Sequence, residues 1–481
     1  GAARDPIQHA LPFLFIEPDI VKQVIKYTLK EVQEDGKIPY GIAGNGMIMP
    51  SLWDPSDLQL WLIWLISDYI LLTRDSDFLN EEISMYPIYG RKVQKKTVKE
   101  ILFLTYEYFL SVIGKGKHGL IRVASCDWND MVITGFVPED KQDEVKKVGE
   151  SVLNSAMTIH VLSQFSEMLS FLGLVEKSEE VKEFKQTIVK PLKEQWNGKW
   201  FKRAWLSDEL GWVGDDMLWL EPQPWALISE VLDPSQVDVL IKNINELNRN
   251  PSPIGSILLS KTIGSQVESA GMATNAGIWP SINGTLIWAL SKFSGELAYE
   301  EWKKNTFAHK ANIYPDIWYG IWSGPDTWNS SFSEYPGHTL FAKYYMTKDP
   351  SDKTEGLLSM GINWTDFPVL NLHPHAWPLY NIIHLIGLQI TNNGIKFVPK
   401  LPKEEYSFQS LLIKFQKQKS GYSGWYHPKN RGTWEISLNL KNEELIKVKA
   451  VKVNNKITDY TISGSEITFK SKDSINWEIE F

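Results

Sequence analysis

The sequence predicts an all-α (α/α)6 barrel, a toroid of paired helices, over residues 1–388, followed by a C-terminal antiparallel β-sandwich over residues 389–481. Three observations predict it. Helical periodicity runs almost unbroken to about residue 388, in twelve segments with no strand alternation between them. Taken in pairs these make six hairpins, and no fixed-period repeat speaks for a solenoid instead. After Gly387 the hydrophobic period changes to two.

The helical segments are 18–35, 56–73, 92–113, 148–173, 177–195, 222–232, 235–247, 281–294, 296–308, 334–347, 352–361 and 377–387. Asp54-Pro55-Ser56-Asp57 and Asp233-Pro234-Ser235 are helix starts, with capping side chains beside a proline. Gly114, Gly116, Gly173 and Gly387 stand where left-handed C-caps end helices. Long connections rich in Gly, Pro and Trp cover 36–55, 116–146, 200–221, 248–280 and 311–333. Such loops in a folded domain are usually functional, and gathered at one end of a toroid they would line a pocket. Beyond residue 388, Ile395–Val398, Ser410–Phe415, Thr433–Leu438 and Glu466–Phe469 alternate like strands, parted by turn signals at Asn392-Asn393-Gly394 and Gly464-Ser465.

Composition excludes several classes. With 43% hydrophobic and 22% charged residues, the 481-residue chain is not mainly disordered. A net charge of −8 without a Lys/Arg block disfavours nucleic acid and anionic membranes as partners. The apolar run Leu58–Leu72 contains Asp68 and is too short for a membrane span. Cys126 is the single cysteine, so neither an internal disulfide nor a cysteine-based zinc site can form, and a reducing, cytoplasmic setting is expected. The opening Gly1-Ala2-Ala3-Arg4-Asp5 reads like the middle of a domain, and an upstream part is expected. The anomaly is 21 Trp, many in polar loops: Trp205, Trp212, Trp219, Trp318, Trp322 and Trp328. Flat rings beside Asp, Asn and Ser suit sugars, whose C–H faces are apolar and whose hydroxyls need polar partners.

Five stretches could carry chemistry. Cys126-Asp127-Trp128-Asn129-Asp130 sets two carboxylates around an indole. An acid desolvated against Trp stays protonated near neutral pH, as a general acid for glycosidic cleavage must, although the same cluster could cap the following turn. Arg4-Asp5 with Gln8 could hold sugar hydroxyls or form a structural ion pair. Asn275 to Gly284 contains Trp279 and Ser281 and leads into a helix, and Trp318 to Asp326 is an aromatic, glycine-punctuated loop containing Trp322. His373 and His375, before the last barrel helix, lack a carboxylate cluster, so hydrogen bonding is favoured over a metal.

In order, these motifs resemble glycoside hydrolase family 94, the cellobiose and chitobiose phosphorylase group. Asp127-Trp128-Asn129-Asp130 matches its Asp-Trp-Asn-Asp. Arg4-Asp5-x-x-Gln8, Asp57-Leu58-Gln59-Leu60-Trp61-Leu62, Gly149-Glu150-Ser151-Val152, Gln223-Pro224-Trp225-Ala226, Asn275-x-Gly277, Gly324-Pro325-Asp326 and Gly387 through Pro402 resemble its further motifs. The resemblance covers about 400 residues. It implies an (α/α)6 barrel with a C-terminal β part and, in family members, an N-terminal β-sandwich, which is absent from this chain. It further implies Asp130 as general acid, with Arg4, Asp5, Asp127 and Trp128 around the −1 sugar, and often a homodimer.

The departures concern phosphate. Where the family places a phosphate-binding His, this sequence has Ser281, and Thr274 replaces a Glu. The loop Asn371–His375 lacks the family's Thr-Gly pair, and roughly 30 extra residues around 334–347 precede it. Losing those donors disfavours phosphorolysis. The expectation is therefore an inverting glycoside hydrolase of a glucoside-type oligosaccharide or glycoconjugate, without a cofactor. Such an enzyme needs a base about 6.5–9.5 Å from the acid. Glu334 and Asp366 lead as base, ahead of Glu268 and Asp326, and Gln8, Gln223, Trp279, Ser281, Trp322, Asp326, His373 and His375 join the substrate-binding candidates. A glycoside phosphorylase with phosphate as co-substrate, a non-catalytic carbohydrate-binding protein, and a lyase or epimerase using Tyr314, Tyr319, His373 or His375 are the alternatives.

Overall fold

The computed structural model describes residues 3–41, 53–86, 92–264, 269–317, 325–338 and 372–481. Its first part is helical: α1 Arg4–Ala10, α2 Phe13–Ile16, α3 Pro18–Glu31, α4 Leu58–Thr73, α5 Val98–Tyr108, α6 Met131–Thr134, α7 Gln142–Val148, α8 Val152–Phe171, α9 Val175–Lys193, α10 Pro222–Ile228, α11 Pro234–Ile244, α12 Pro280–Phe293, α13 Gly295–Lys304, α14 Phe307–Ile313 and α15 His373–Leu385. Every residue of α4 is buried, which explains its apolar run without a membrane. Among the described residues no helix is long and apolar enough to cross one. The amphipathic α9 instead packs one face on α8 and turns its lysines and glutamates outward.

The contacts order these helices. α1 packs on α4, α4 on α8, α8 on α10, α10 on α12, α12 on α15, and α15 back on α1. α12 and α15 approach closely because Gly284 has no side chain: a Cβ there would lie 2.3 Å from the Trp377 ring. The six helices turn their N-termini to one end. Arg4, Ser281 and His373, at the starts of α1, α12 and α15, border one cavity there. Asp57, Ser151 and Glu221, just ahead of α4, α8 and α10, hydrogen-bond to its walls or supports.

Several sequence expectations need correction. The segment expected at 92–113 becomes helical only at Val98, behind a capping box of Thr97 and Glu100, and its last turn is a π-helix over Phe109–Ile113. The helix expected from 334 is absent over 334–338, which forms turns and bends; its remainder and 352–361 lie outside the described residues. Short α1, α2 and α14 are additional, as are α6 and most of α7 within the expected connection 116–146.

The first strand of the C-terminal part starts at Leu388. Five short strands in two small sheets precede it: β1 Glu82–Ser84 with β2 Lys95–Thr97, and β3 Glu150–Ser151 with β4 Ala204–Trp205 and β5 Trp212–Val213. Then follow β6 Leu388–Ile390, β7 Gly394–Phe397, β8 Tyr406–Gln409, β9 Ile413–Gln418, β10 Gly421–Tyr426, β11 Thr433–Asn439, β12 Ala450–Val453, β13 Lys456–Ile457, β14 Thr461–Ser463, β15 Glu466–Lys472 and β16 Ile475–Glu480. One sheet has the order β13-β12-β16-β10-β9-β8 and is antiparallel. The other, β14-β15-β11-β7-β6, is mixed, since β7 and β11 run parallel, which corrects the fully antiparallel expectation. The β6–β7 hairpin enters straight from α15 and adds to β11 across a long stretch of chain. At Gly394 the backbones come so close that a Cβ would lie 1.9 Å from the Glu435 carbonyl oxygen. The sheets face each other through Phe397 and Phe415, stacked at 4.5 Å, with Trp477 beside them.

Arg74 fastens this part to the helices. It caps α4 in a left-handed conformation, φ 63°. Its guanidinium donates to the carbonyls of Thr391, Asn392 and Gly394 and to the Tyr426 hydroxyl. Four of its five N–H donors are thereby used, which is how a fully buried arginine is tolerated.

Candidate active site

The Asp-Trp-Asn-Asp segment leads into the short α6, over a buried charged scaffold. Asp127 accepts two hydrogen bonds of 2.7 Å from Arg203, one of 2.6 Å from Ser151 and one of 3.0 Å from the Asn129 backbone. The other side of Arg203 pairs with Glu221, which accepts from the Asn129 side chain at 2.7 Å. Burial alone would raise the Asp127 carboxyl, but the charge and hydrogen bonds of Arg203 outweigh it and hold it below the ordinary carboxylate range. Glu221 is raised, because burial there outweighs its share of Arg203. Two residues of the motif thus lock the loop, leaving Trp128 and Asp130 to face outward.

Asp130 meets the first helix. Arg4, itself buried, pairs with Asp130 Oδ1 through Nη2 and, through Nη1, with both oxygens of Asp57 at 3.2 Å and the Asp127 carbonyl at 2.9 Å. The Tyr40 hydroxyl donates to Asp130 Oδ2 at 2.9 Å, and the Trp53 ring N–H to the Asp130 carbonyl at 3.1 Å. The apolar Trp setting expected for this carboxylate is therefore replaced by a guanidinium and a phenol.

These groups wall a cavity of about 450 Å³. Trp128 and Trp279 meet edge to face at 5.0 Å on one side. Asp5 pairs with His373 Nε2 at 3.4 Å. Burial opposes ionisation of Asp5, yet the hydrogen bond and charge of His373, with Arg4 and His9, keep its pKa low. Asp326 also lines the cavity, and burial, reinforced by the charges of Asp5 and Asp130, pushes it up to about 6. The Ser281 hydroxyl is buried with no hydrogen-bond partner among the described residues. Beside it, in a recess of about 10 Å³ under Trp128, the Gln8 amide is equally unsatisfied. Such polar atoms are costly unless a ligand or water completes them.

Of the sequence candidates, Arg4, Asp5, Trp128, Asp130, Trp279, Ser281, Asp326 and His373 border this cavity, with Gln8 adjoining. Four do not. Asp127 is fully buried behind the wall and serves as scaffold, not as a sugar contact. Gln223 is likewise buried, bonded to the backbones of Phe201 and Trp219. His375 packs 4.7 Å from the Phe307 ring, away from its neighbour His373. Glu334 is exposed and is not among the described residues of the lining. Glu268, Trp322 and Asp366 lie outside the described residues, as do Trp318 and Tyr319. The loop tryptophans Trp205, Trp212, Trp219 and Trp328 do not form the platform: Trp205 and Trp212 pack on each other and on His118, Trp219 is buried, and Trp328 lies under Lys310. Trp53, Trp128 and Trp279 take that place, and sequence reasoning had missed Tyr40, Trp53, Met131 and Thr327. The signal for Tyr40 and Trp53 was their position in the long connection 36–55.

A family model described as the glycosyl hydrolase 94 superfamily, catalytic domain, matches residues 2–313. The chain belongs to that superfamily. A solabiose phosphorylase of Paenibacillus borealis is 26% identical over 294 residues, 59% of this chain and 35% of the relative. A cellobionic acid phosphorylase of Neurospora crassa is 22% identical over 298 residues, 57% of this chain and 36% of the relative. The chain thus spans little more than a third of the length of these relatives. Among solved structures, an α-L-rhamnosidase from Dictyoglumus thermophilum aligns with TM-score 0.50 at 12% identity, covering 100% of this chain and 46% of the other. A GH78 rhamnosidase of Bacillus sp. GL1 aligns with TM-score 0.52 at 11% identity, covering 89% and 36%. These two likenesses concern the fold alone. The superfamily acts on glycosides, and carboxylic acids bordering one aromatic-walled cavity, here Asp5, Asp130 and Asp326, are the groups such chemistry uses.

Proposed function

We propose that this chain is the catalytic part of an inverting glycoside hydrolase. Residues 1–388 would form an (α/α)6 toroid, its inner ring being α1, α4, α8, α10, α12 and α15, and residues 389–481 a β-sandwich domain. The observation that carries the reading is that Asp130 and Asp326 border the same cavity. Asp130, last residue of the matching motif, is the general acid, delivering a proton to the departing glycosidic oxygen. Asp326 takes the role of base, ahead of Glu334 and Asp366. Ionised above about pH 6, it accepts a proton from the attacking water while that water bonds to the anomeric carbon from the opposite face. Arg4 and Tyr40 hold the acid in position, Trp128 and Trp279 offer apolar surface to the sugar ring, and Asp5 with His373 meets hydroxyls. No organic cofactor enters.

A second reading, phosphorolysis, has a specific observation in its favour: both curated relatives are named phosphorylases. Arg4 and His373 on the cavity wall suit an anion. Against it stands Ser281 where the resemblance calls for a histidine.

The test is single-site substitution with a panel of disaccharides headed by solabiose and cellobionic acid. Asp130→Asn and Asp326→Asn should each lose turnover by about 10²–10⁴-fold, while Glu334→Gln keeps it. Full activity in Asp326→Asn with loss in Glu334→Gln returns the base to Glu334.

A further inference from the structure

A second cavity, of about 370 Å³, lies at the other end of the same helices. Ser281 and Lys292 stand eleven residues apart on α12, as do His373 and His384 on α15. At 1.5 Å per residue the two cavities are separated by about 16 Å along the helix axes. The far cavity is closed by β6 and by residues from 398 to 400, and exposed Glu230 and Gln389 stand on its rim. Its volume falls within the range of small-molecule sites, about 300–1,000 Å³.

Its chemistry is that of a polar but uncharged ligand. Two acids, Asp68 and Glu230, face two lysines, Lys292 and Lys400, so neither an anion nor a cation is favoured. Glu230 is already paired with Lys292 at 2.7 Å, and Lys400 donates to the Lys292 carbonyl. Asp68 accepts from Trp64 at 2.8 Å and from Gln164 at 2.9 Å. Both imidazoles are kept neutral: burial lowers His160 to about 3 and takes His384 well below its ordinary value. A neutral imidazole offers one donor and one acceptor. His160 Nε2 is buried with no hydrogen-bond partner among the described residues. Trp288, stacked on His384 at 4.6 Å, adds apolar surface. Interleaved donors and acceptors, balanced charge and an indole match a hydroxyl-rich neutral ligand.

We propose that this cavity is a second, non-catalytic binding site for a neutral mono- or disaccharide, at the end of the helix ring opposite the catalytic cavity. It does not rest on the hydrolytic reading and holds equally for a phosphorylase. Occupancy would brace α12 and α15, whose other ends carry Ser281 and His373.

The test uses the full chain with Asp130→Asn to stop turnover, and glucose and cellobiose as probes. Calorimetric stoichiometry is compared with and without Gln389→Trp, which fills the rim from an exposed strand position. One bound equivalent per chain should disappear, or weaken at least tenfold, in the Gln389→Trp chain. Unchanged stoichiometry, including no binding in either chain, overturns the proposal. Should Gln389→Trp fail to fold, hydrogen exchange on the Asp130→Asn chain decides. Sugar should slow exchange across 387–400, and slowing confined to the loop around residue 130, or none, overturns it.

Discussion

Replacing Arg203 by Met tests the scaffold beneath the catalytic loop. The guanidinium is fully buried between Asp127 and Glu221, both also fully buried. Asp127 would lose two hydrogen bonds of 2.7 Å and keep those from Ser151 and Asn129; Glu221 would keep only the Asn129 amide. Removing one partner of a buried pair costs about 3–5 kcal/mol, and here two carboxylates are stranded, so the upper end applies. With about 2 cal/mol/K of unfolding entropy per residue, a cooperative unit of 481 residues loses on the order of 1 °C per kcal/mol, giving a Tm fall of about 5 °C. The loss depends on pH. In the native protein the depressed Asp127 stabilises above its unfolded pKa and gives that up as pH falls. Without Arg203 the stranded carboxylates favour protonation instead. The gap between the two proteins therefore widens from pH 5 to pH 8. Calorimetry at both pH values, with Arg203→Lys as the charge-conserving control, measures it. A Tm within 1 °C of the native protein at pH 8, or a gap that narrows with rising pH, refutes the reasoning.

Three further outcomes are expected. The acid limb of kcat/KM should lie near pH 6, because Asp326 must lose its proton to act as base, and activity should fall as pH drops through that value; a limb unaltered in the residual activity of Asp326→Asn speaks against the assignment. Tyr40→Phe removes a 2.9 Å bond that positions Asp130, and an ordinary hydrogen bond is worth about 0.5–1.5 kcal/mol, so kcat/KM should drop on the order of twofold to tenfold with little change in Tm. Glu31, raised to about 8 by burial, stays protonated in the fold but ionises on unfolding, so it withdraws stability as pH rises from about 4.5 toward 8; Glu31→Gln should raise Tm at pH 8 by several times more than at pH 5, and equal shifts at both pH values would contradict this.

Much of the site was legible because its residues sit in short, ordered motifs. Arg4, Asp5, Trp128, Asp130, Trp279 and Asp326 meet at one cavity although they are spread over more than 300 positions. The sequence could not say which carboxylate of the Asp-Trp-Asn-Asp segment faces in. That is decided by Arg203, remote in sequence, which takes Asp127 as its partner. Gln223 looked like a sugar ligand because an amide on a helix start reads the same whether it bonds hydroxyls or, as here, a neighbouring backbone. Helices of ten residues or more were found by their periodicity, whereas seven-residue α1 spans two turns and carries too little pattern. The parallel pairing of β7 with β11 joins strands some 40 residues apart and leaves no local trace.

The central claim, cleavage by water with inversion, is most directly met by proton NMR of the anomeric signals during turnover of a cleaved disaccharide, with and without inorganic phosphate. The account predicts free sugar in phosphate-free buffer, appearing first as the anomer opposite to the substrate's and absent in Asp130→Asn. Sugar 1-phosphate formed only when phosphate is added would contradict it.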